Sequence, residues 1–404
     1  MNGILSGLRI IEGSAFVAAP LAGMTLAQMG ADVIRFDPVG GGLDYRRWPV
    51  TSDNRSLYWA GLNKGKRSIA IDIRRPEGRE LATSLIAAPG EGGGIFLTNF
   101  PASGWLDYQK LRQRRQDLIM LAISGNRDGS SEVDYTVNCA TGLPFLLGHE
   151  GGGRPVNNVL PAWDLVAGLT AVSGIIGAER QRRLTGSGQL IGLALSDVAF
   201  AAMGALGFIG EAIVNGTDRP ATGNDLYGAF GRDFLSKDGR YVMIVAISQR
   251  QWEALVKATG LAEQFKLIEA AFGVDLADEG SRFKARKALD ALIEQWCAAR
   301  SYKDISEAFG AAGVLWGPYR TTREMVKDDP RCSTANPMFA EIDQPGIGRY
   351  IVPGSPLDFV GGGTPAPAPA PLLGQHTDEI LTTVVGLSGA QIGVLYDKGV
   401  VAGP

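Results

Sequence analysis

Histidine and cysteine are scarce in this chain of 404 residues, which has two of the first and three of the second. His149 and His376 stand far apart, and Cys139, Cys297 and Cys332 have no metal-ligand spacing. A metal centre, a disulfide framework and a serine–histidine pair therefore find no support. An excess of one charge is also lacking: 39 Lys and Arg against 42 Asp and Glu leave a net charge of −3. That balance gives no electrostatic footprint for nucleic acid or an anionic membrane. No apolar run approaches the length of a membrane span, and Met1–Ile11 has neither the basic start nor the long apolar stretch of a signal peptide. A cytoplasmic protein is expected. A G-x-G-x-x-G after the first strand pattern is missing, since Gly40-Gly41-Gly42 follows the second one, so an NAD site is unsupported.

What is present is a chain that is 45% hydrophobic and 20% charged, long enough for two domains and a large core. Its 55 glycines follow no fixed period, which points to many tight turns and excludes a repeat fold. Leu8–Ile11 reads as a strand, Pro20–Met29 as a small-residue helix and Ala31–Phe36 as a strand, a βαβ opening. Further strands are expected at Ser68–Ile73, Gly94–Thr98 and Leu118–Ile123, and helices at Pro76–Ile86 and Tyr108–Arg115. The economical fold class is α/β, a doubly wound Rossmann-like layer with its binding edge at the strand ends.

The chain is organised around Pro161–Gly192. Asp164 stands before an apolar, small-residue run, Leu165–Ala178, and a charged turn, Glu179–Arg183, which predicts a helix with Asp164 as its N-cap. A Gly-rich turn, Leu184–Gln189, and a strand, Leu190–Leu195, follow. On this reading Asp164 has two possible roles. It caps the helix, or it is a nucleophile held ionised by the helix dipole.

D-x-x-x-G at Asp164–Gly168 and T-G-x-G-Q at Thr185–Gln189 resemble the class III CoA transferases, the formyl-CoA and carnitine type. The resemblance continues in L-S-G-L-R-I-I-E at Leu5–Glu12, A-A-P at Ala18–Pro20, G-A-D-V-I-R-F-D at Gly30–Asp37 and N-K-G-K-R-S-I-A-I-D at Asn63–Asp72. P-E-G at Pro76, N-F at Asn99, I-S-G at Ile123, D-Y-x-x-N at Asp134–Asn138 and L-G-Q-H-T-D-E at Leu373–Glu379 extend it over almost the whole chain.

What this resemblance implies is a CoA-thioester enzyme with Asp164 as the acyl-carrying nucleophile and no cofactor beyond substrate-derived CoA. It implies a CoA cleft formed by Phe16, Val17, Ala18, Ile71, Arg74, Asn99 and Phe100. Pro38 and Ser124 stand where family members often have an Arg and a Lys; Arg46, Arg47, Lys64, Lys66 and Arg127 are the substitutes for phosphate contacts. An interlocked homodimer is implied as well. A racemase of the same family uses a His before the Asp of its G-H-D motif, and here that position is Val133. A non-catalytic CoA-binding protein remains the reading if Asp164 only caps.

The domains expected are 1–214, the first part of a large Rossmann-like CoA-binding domain; 215–240, a Gly-dense linker or lid; 241–325, a smaller α+β domain; and 326–404, a return linker and the rest of the large domain. Asp197–Val214 reads as one apolar helix, and helices are expected at Gln249–Thr259, Arg282–Ala299 and Tyr302–Ala312. The lid candidates are Gly223, Tyr227, Gly228 and Gly231. The nearest branch of the family implies CoA moving between the two carboxyls of one dicarboxylate. Phe16, Trp48, Tyr135 and Tyr227 are the candidates for closing a small pocket, and Arg47 or Arg232 for holding the free carboxylate.

Overall fold

The computed structural model describes residues 3–404. The chain forms two compact units, one of Met1–Thr141, Asn158–Gly210 and Pro330–Pro404, the other of Gly142–Asn157 and Glu211–Asp329. The first unit holds a seven-stranded sheet of β1 (Arg9–Gly13), β2 (Asp32–Asp37), β3 (Arg67–Ile71), β4 (Ile95–Thr98), β5 (Ile119–Ser124), β6 (Leu190–Ala194) and β12 (Val401–Ala402). Their order is β12-β3-β2-β1-β4-β5-β6. All pairs are parallel except β12–β3. Apart from β12 this is the doubly wound order 3-2-1-4-5-6, in which strand succession reverses between β1 and β4. β4 and β5 are largely apolar because helices cover the sheet's faces, while β1 and β2 interrupt their apolar residues with the buried Glu12, Arg35 and Asp37; Ile10, Ile34, Phe36, Ile69 and Phe96 are fully buried.

Helices α1 (Ala18–Gln28), α2 (Leu57–Leu62), α3 (Pro76–Ile86), α4 (Tyr108–Arg114) and α5 (Asp134–Ala140) follow in this unit. Pro76 opens α3 because a first-turn residue needs no N–H partner. The long helix α7 (Ala162–Thr185) ends at Gly186, whose φ of +73° suits the left-handed cap a Cβ would strain. It begins two residues before Asp164, so Asp164 lies inside the first turn and not at the cap. The expected helix Asp197–Val214 is two helices, α8 (Leu195–Ala205) and α9 (Phe208–Asn215), parted at Gly207, and α9 carries the chain from the first unit into the second. A hairpin of β10 (Phe339–Gln344) and β11 (Gly348–Pro353) and the helices α16 (Thr377–Ile380) and α17 (Gly389–Asp397) complete the unit.

The second unit has a three-stranded antiparallel sheet of β7 (Phe230–Leu235), β8 (Tyr241–Ala246) and β9 (Leu315–Pro318). Thus the Gly-dense stretch read as linker ends in a strand. The short α6 (Leu143–Leu146) belongs here, with α10 (Gln249–Thr259), α11 (Ala262–Phe272), α12 (Glu279–Lys284), α13 (Arg286–Ala298), α14 (Tyr302–Ala312) and α15 (Thr322–Asp328). Helix Arg282–Ala299 is in fact divided at Ala285, and α11 has no counterpart in the sequence reading. Phe230, Trp252, Leu289, Ile293 and Phe309 build a core of this unit's own.

Candidate active site

At the reversal point the loops after β1 and β4 meet. Asn99 donates from its side-chain amide to Ala15 O at 2.7 Å and accepts from Ala15 N at 2.9 Å, so it holds the Phe16 loop rather than facing outward. Phe16 has a φ of +68°, rare for a residue with a side chain. Its N–H donates to Asp44 Oδ2 at 3.1 Å. Asp44 in turn belongs to a buried ionic cluster. Arg35 donates to Asp37 (2.9 Å), Asp44 (3.1 Å), Asn63 (3.2 Å) and the Ser14 carbonyl (3.1 Å), and pairs with Glu12. Lys66 reaches Glu12 (2.8 Å), Asn63 (2.9 Å) and the Pro20 carbonyl (2.8 Å). Gly23 makes this possible, for a Cβ there would overlap the Glu12 carboxylate at 1.8 Å. Five charged groups are fixed to one another, which strongly restrains the strained loop.

A cavity of about 400 Å³ opens at the same crevice, where doubly wound sheets bind ligands. Ser14, Ala15, Pro38, Ile73, Phe100 and Trp105 are among its lining residues. Phe100 thus lines the crevice, and Pro38 presents an apolar wall where family members often have an Arg. Val17 and Ala18 are buried at the start of α1. The Ile71 side chain is wholly buried in the core, which leaves only its backbone to a ligand. Arg74 is 82% exposed and paired with Asp72 at 2.8 Å. Of the substitute cations, Lys64 and Lys66 are buried, and Arg127 pairs with Asp197.

Asp164 is positioned by three devices. The capping carboxylate of α7 is Asp134 of α5, whose Oδ2 accepts from Trp163 N at 2.7 Å and Asp164 N at 3.0 Å. Asn138, one turn on, accepts from the Trp163 indole at 3.0 Å, so D-Y-x-x-N is a clamp on the start of α7. Gly168, one turn beyond Asp164, lets α7 rest against the first turn of α1, because a Cβ there would come within 2.8 Å of Ala18 O. The D-x-x-x-G spacing thus joins a carboxylate to a close helix crossing.

The two roles open in the sequence are now separated: Asp134 caps, and no described residue hydrogen-bonds the Asp164 carboxylate. Its pKa is pushed up to about 7, first by burial, then by the Asp134 carboxylate, with Arg47 opposing. Desolvation and a like charge thus hold Asp164 near the midpoint of its titration at neutral pH, where the helix end alone leads one to expect a fully ionised carboxylate. Arg47 stands over the Phe16 ring and the Tyr58 ring, 5.3 Å from each centroid. It has no carboxylate partner among the described residues. Tyr58, absent from the sequence reading, is held as a neutral phenol by burial, its pKa raised to about 12. Tyr135 is partly exposed on α5.

In the second unit Arg232 is paired with Asp290 at 3.0 Å. Tyr227 donates to Glu211 at 2.9 Å beneath the Arg219 guanidinium, and Gly228 adopts a φ of +80° beside it.

The description CoA-transferase family III matches residues 5–377. A 2-methylfumaryl-CoA isomerase of Chloroflexus aurantiacus is 59% identical over 100% of this chain and 99% of its own length. A succinyl-CoA:mesaconate CoA-transferase of Haloarcula marismortui is 28% identical over 94% and 96%. The crystal structure of a CAIB/BAIF family protein from Brucella suis superposes with a TM-score of 0.77 at 26% identity, over 95% of this chain and 100% of that one. With a match spanning nearly its whole length, the chain belongs to CoA-transferase family III.

Proposed function

We propose that this chain moves CoA between the C1 and C4 carboxyls of 2-methylfumarate (mesaconate), with Asp164 as the covalent carrier. The observation that carries the reading is the Asp164 carboxylate itself, which is relieved of capping by Asp134 and faces the unpaired Arg47. The 59% identity to a 2-methylfumaryl-CoA isomerase supports the substrate.

The Asp164 carboxylate attacks the C1 thioester carbonyl; the C–S bond breaks, leaving a mixed anhydride and CoA thiolate. The thiolate then attacks the aspartyl carbonyl, and mesaconate leaves as a dicarboxylate from an enzyme thioester. Its C4 carboxylate attacks that thioester, again releasing thiolate and forming the second anhydride. Attack of the thiolate on the C4 acyl carbonyl gives the product and restores the Asp164 carboxylate. No net proton, electron or water is consumed. The anhydrides demand a site that excludes water, and mesaconate that stays bound keeps a high effective concentration.

Only the ionised carboxylate attacks, so kcat/KM is expected to fall as pH drops below about 7, with the slope of one proton. Asp134→Asn keeps an oxygen for the cap but removes the like charge, and should move this limb to lower pH. The shift stays partial because burial is the larger cause. A limb that does not respond to Asp134→Asn would mean another group titrates.

The similarity to a succinyl-CoA:mesaconate CoA-transferase supports a second reading, transfer to an outside acceptor acid. Mixing the C1 thioester with isotopically labelled mesaconate and with succinate separates the two. Intramolecular transfer predicts unlabelled C4 thioester and no succinyl-CoA. A C4 product that fills with label as fast as it forms selects the second reading.

A further inference from the structure

The buried cluster behind the Phe16 loop sets two cations, Arg35 and Lys66, against three carboxylates, Glu12, Asp37 and Asp44. Lys66 is matched by Glu12 at 2.8 Å, and Arg35 by Asp37, which accepts from its Nε and its Nη2 at 2.9 Å each. Asp44 is thus the carboxylate in excess. A buried charge beyond what pairing needs costs stability, so its place in the fold calls for a use besides pairing.

That use shows in what Asp44 touches. Its Oδ2 accepts from Phe16 N at 3.1 Å, and its main-chain carbonyl accepts from Arg47 N, also at 3.1 Å. One residue therefore ties down both partners of a stack, since the Arg47 guanidinium lies 5.3 Å from the centroid of the Phe16 ring. Phe16 needs such a tie: a φ of +68° is strained for a residue with a Cβ and persists only where its neighbours over-determine it. The Arg47 carbonyl is held in turn by the hydroxyl of Ser56, the N-cap of α2, and the Tyr58 ring stands against the same guanidinium. With 1% of its surface exposed, Asp44 does not meet a substrate itself.

We infer that Asp44 is a positioning residue for the CoA transfer: its carboxylate holds the strained Phe16 backbone and its carbonyl the Arg47 backbone, so that the guanidinium stays stacked beside Asp164. The inference rests on the reading of Asp164 as the carrier and Arg47 as the carboxylate holder.

The pH dependence of kcat/KM for the C1 thioester tests it in Asp44→Asn, in Arg47→Gln, in the protein carrying both, and in Phe16→Gly. The charged and titratable groups about Asp164 are Asp134 of α5, Arg47 and Tyr58, with Tyr135 next to Tyr58. In Asp44→Asn the side-chain NH2 faces either Phe16 N–H or Arg35, so one donor loses its acceptor. The substitution is expected to lower kcat/KM about tenfold, the weight of one such hydrogen bond. It should also move the acid limb to higher pH, because Arg47 holds the Asp164 pKa down and a guanidinium that wanders does so less. Asp44 acting directly by its charge predicts the opposite sign, since removing a nearby negative charge lowers a carboxylate's pKa. In the Arg47→Gln background, Asp44→Asn should add less than about twofold and no further shift. Phe16→Gly relieves the backbone strain and removes only the ring, so its limb should rise as well, and it settles the question if Asp44→Asn melts below the assay temperature. Three outcomes overturn the inference: an acid limb that stays or falls in Asp44→Asn; a loss in the doubly substituted protein equal to the product of the two single losses; or a limb unmoved by Phe16→Gly. Turnover by Asp164→Asn, measured in a different protein, would instead remove the reading on which the inference rests.

Discussion

Asp164→Asn is expected to lower kcat/KM by a factor on the order of 10⁴ or more, while CoA-thioester binding stays within about threefold. The amide has the shape of the carboxylate and the same backbone contacts to Asp134, so only the attacking electron pair is removed. A loss of that size corresponds to about 5.5 kcal/mol of transition-state stabilisation. The same substitution should stabilise the fold. Asp164 has its pKa raised from the ordinary 3.8 to about 7 in the folded chain, so the native state binds a proton more tightly than the unfolded one. Stability therefore falls as pH rises from about 4 to 7, and above that window the ionised carboxylate remains a cost. Discounted for partial exposure, that cost is on the order of 2 kcal/mol. An inactive Asp164→Asn protein that melts a few degrees higher at pH 8, and equally with the unsubstituted protein near pH 3, fits both statements. Turnover within tenfold of the unsubstituted enzyme would remove Asp164 from the mechanism.

Arg47→Gln should cost about 10² in kcat/KM. The guanidinium is flanked by the Phe16 and Tyr58 rings and makes no ion pair or side-chain hydrogen bond among the described residues, so its donors are available to the substrate's second carboxylate. Charge-assisted hydrogen bonds contribute about 1.5–3 kcal/mol each, which sets the size of the loss. Arg47→Lys should not rescue it, because an ammonium neither forks nor stacks in the same way. A second readout guards against a merely structural role: Arg47 lowers the pKa of Asp164, so its removal should move the acid limb of the pH profile upward. A drop in melting temperature with no shift of that limb would assign Arg47 to packing alone.

Helices in both units were legible where their ends are marked locally. Pro76–Ile86 opens on proline, and Gln249–Thr259 runs from Ser248 to Gly260, so both were delimited as found. The break at Gly207 was not legible, since the apolar run continues through it and one glycine is tolerated in a helix pattern. At the site, Asp164 and Gly168 were readable as a spacing. Asp134 was visible only as part of a motif, and nothing in local sequence says that a carboxylate thirty positions earlier caps the helix and raises its neighbour's pKa. Tyr58 escaped for the same reason. Its relation to Asp164 exists only once the segment after β2, which carries both Tyr58 and Arg47, is folded beside the start of α7.

The antiparallel strand β12 pairs Val401 with Ile71, which lies 330 positions earlier. During synthesis on the ribosome, β3 therefore emerges with one edge uncovered and keeps it so while the whole second unit is made. An exposed parallel edge of apolar strands is a template for mispairing with other nascent chains. The large unit is consequently a late-closing one, whose final step waits on a distant segment and carries a high loop-closure entropy. Its yield in cells should depend on how fast translation passes through the second unit and on chaperones that shield a sheet edge in the meantime.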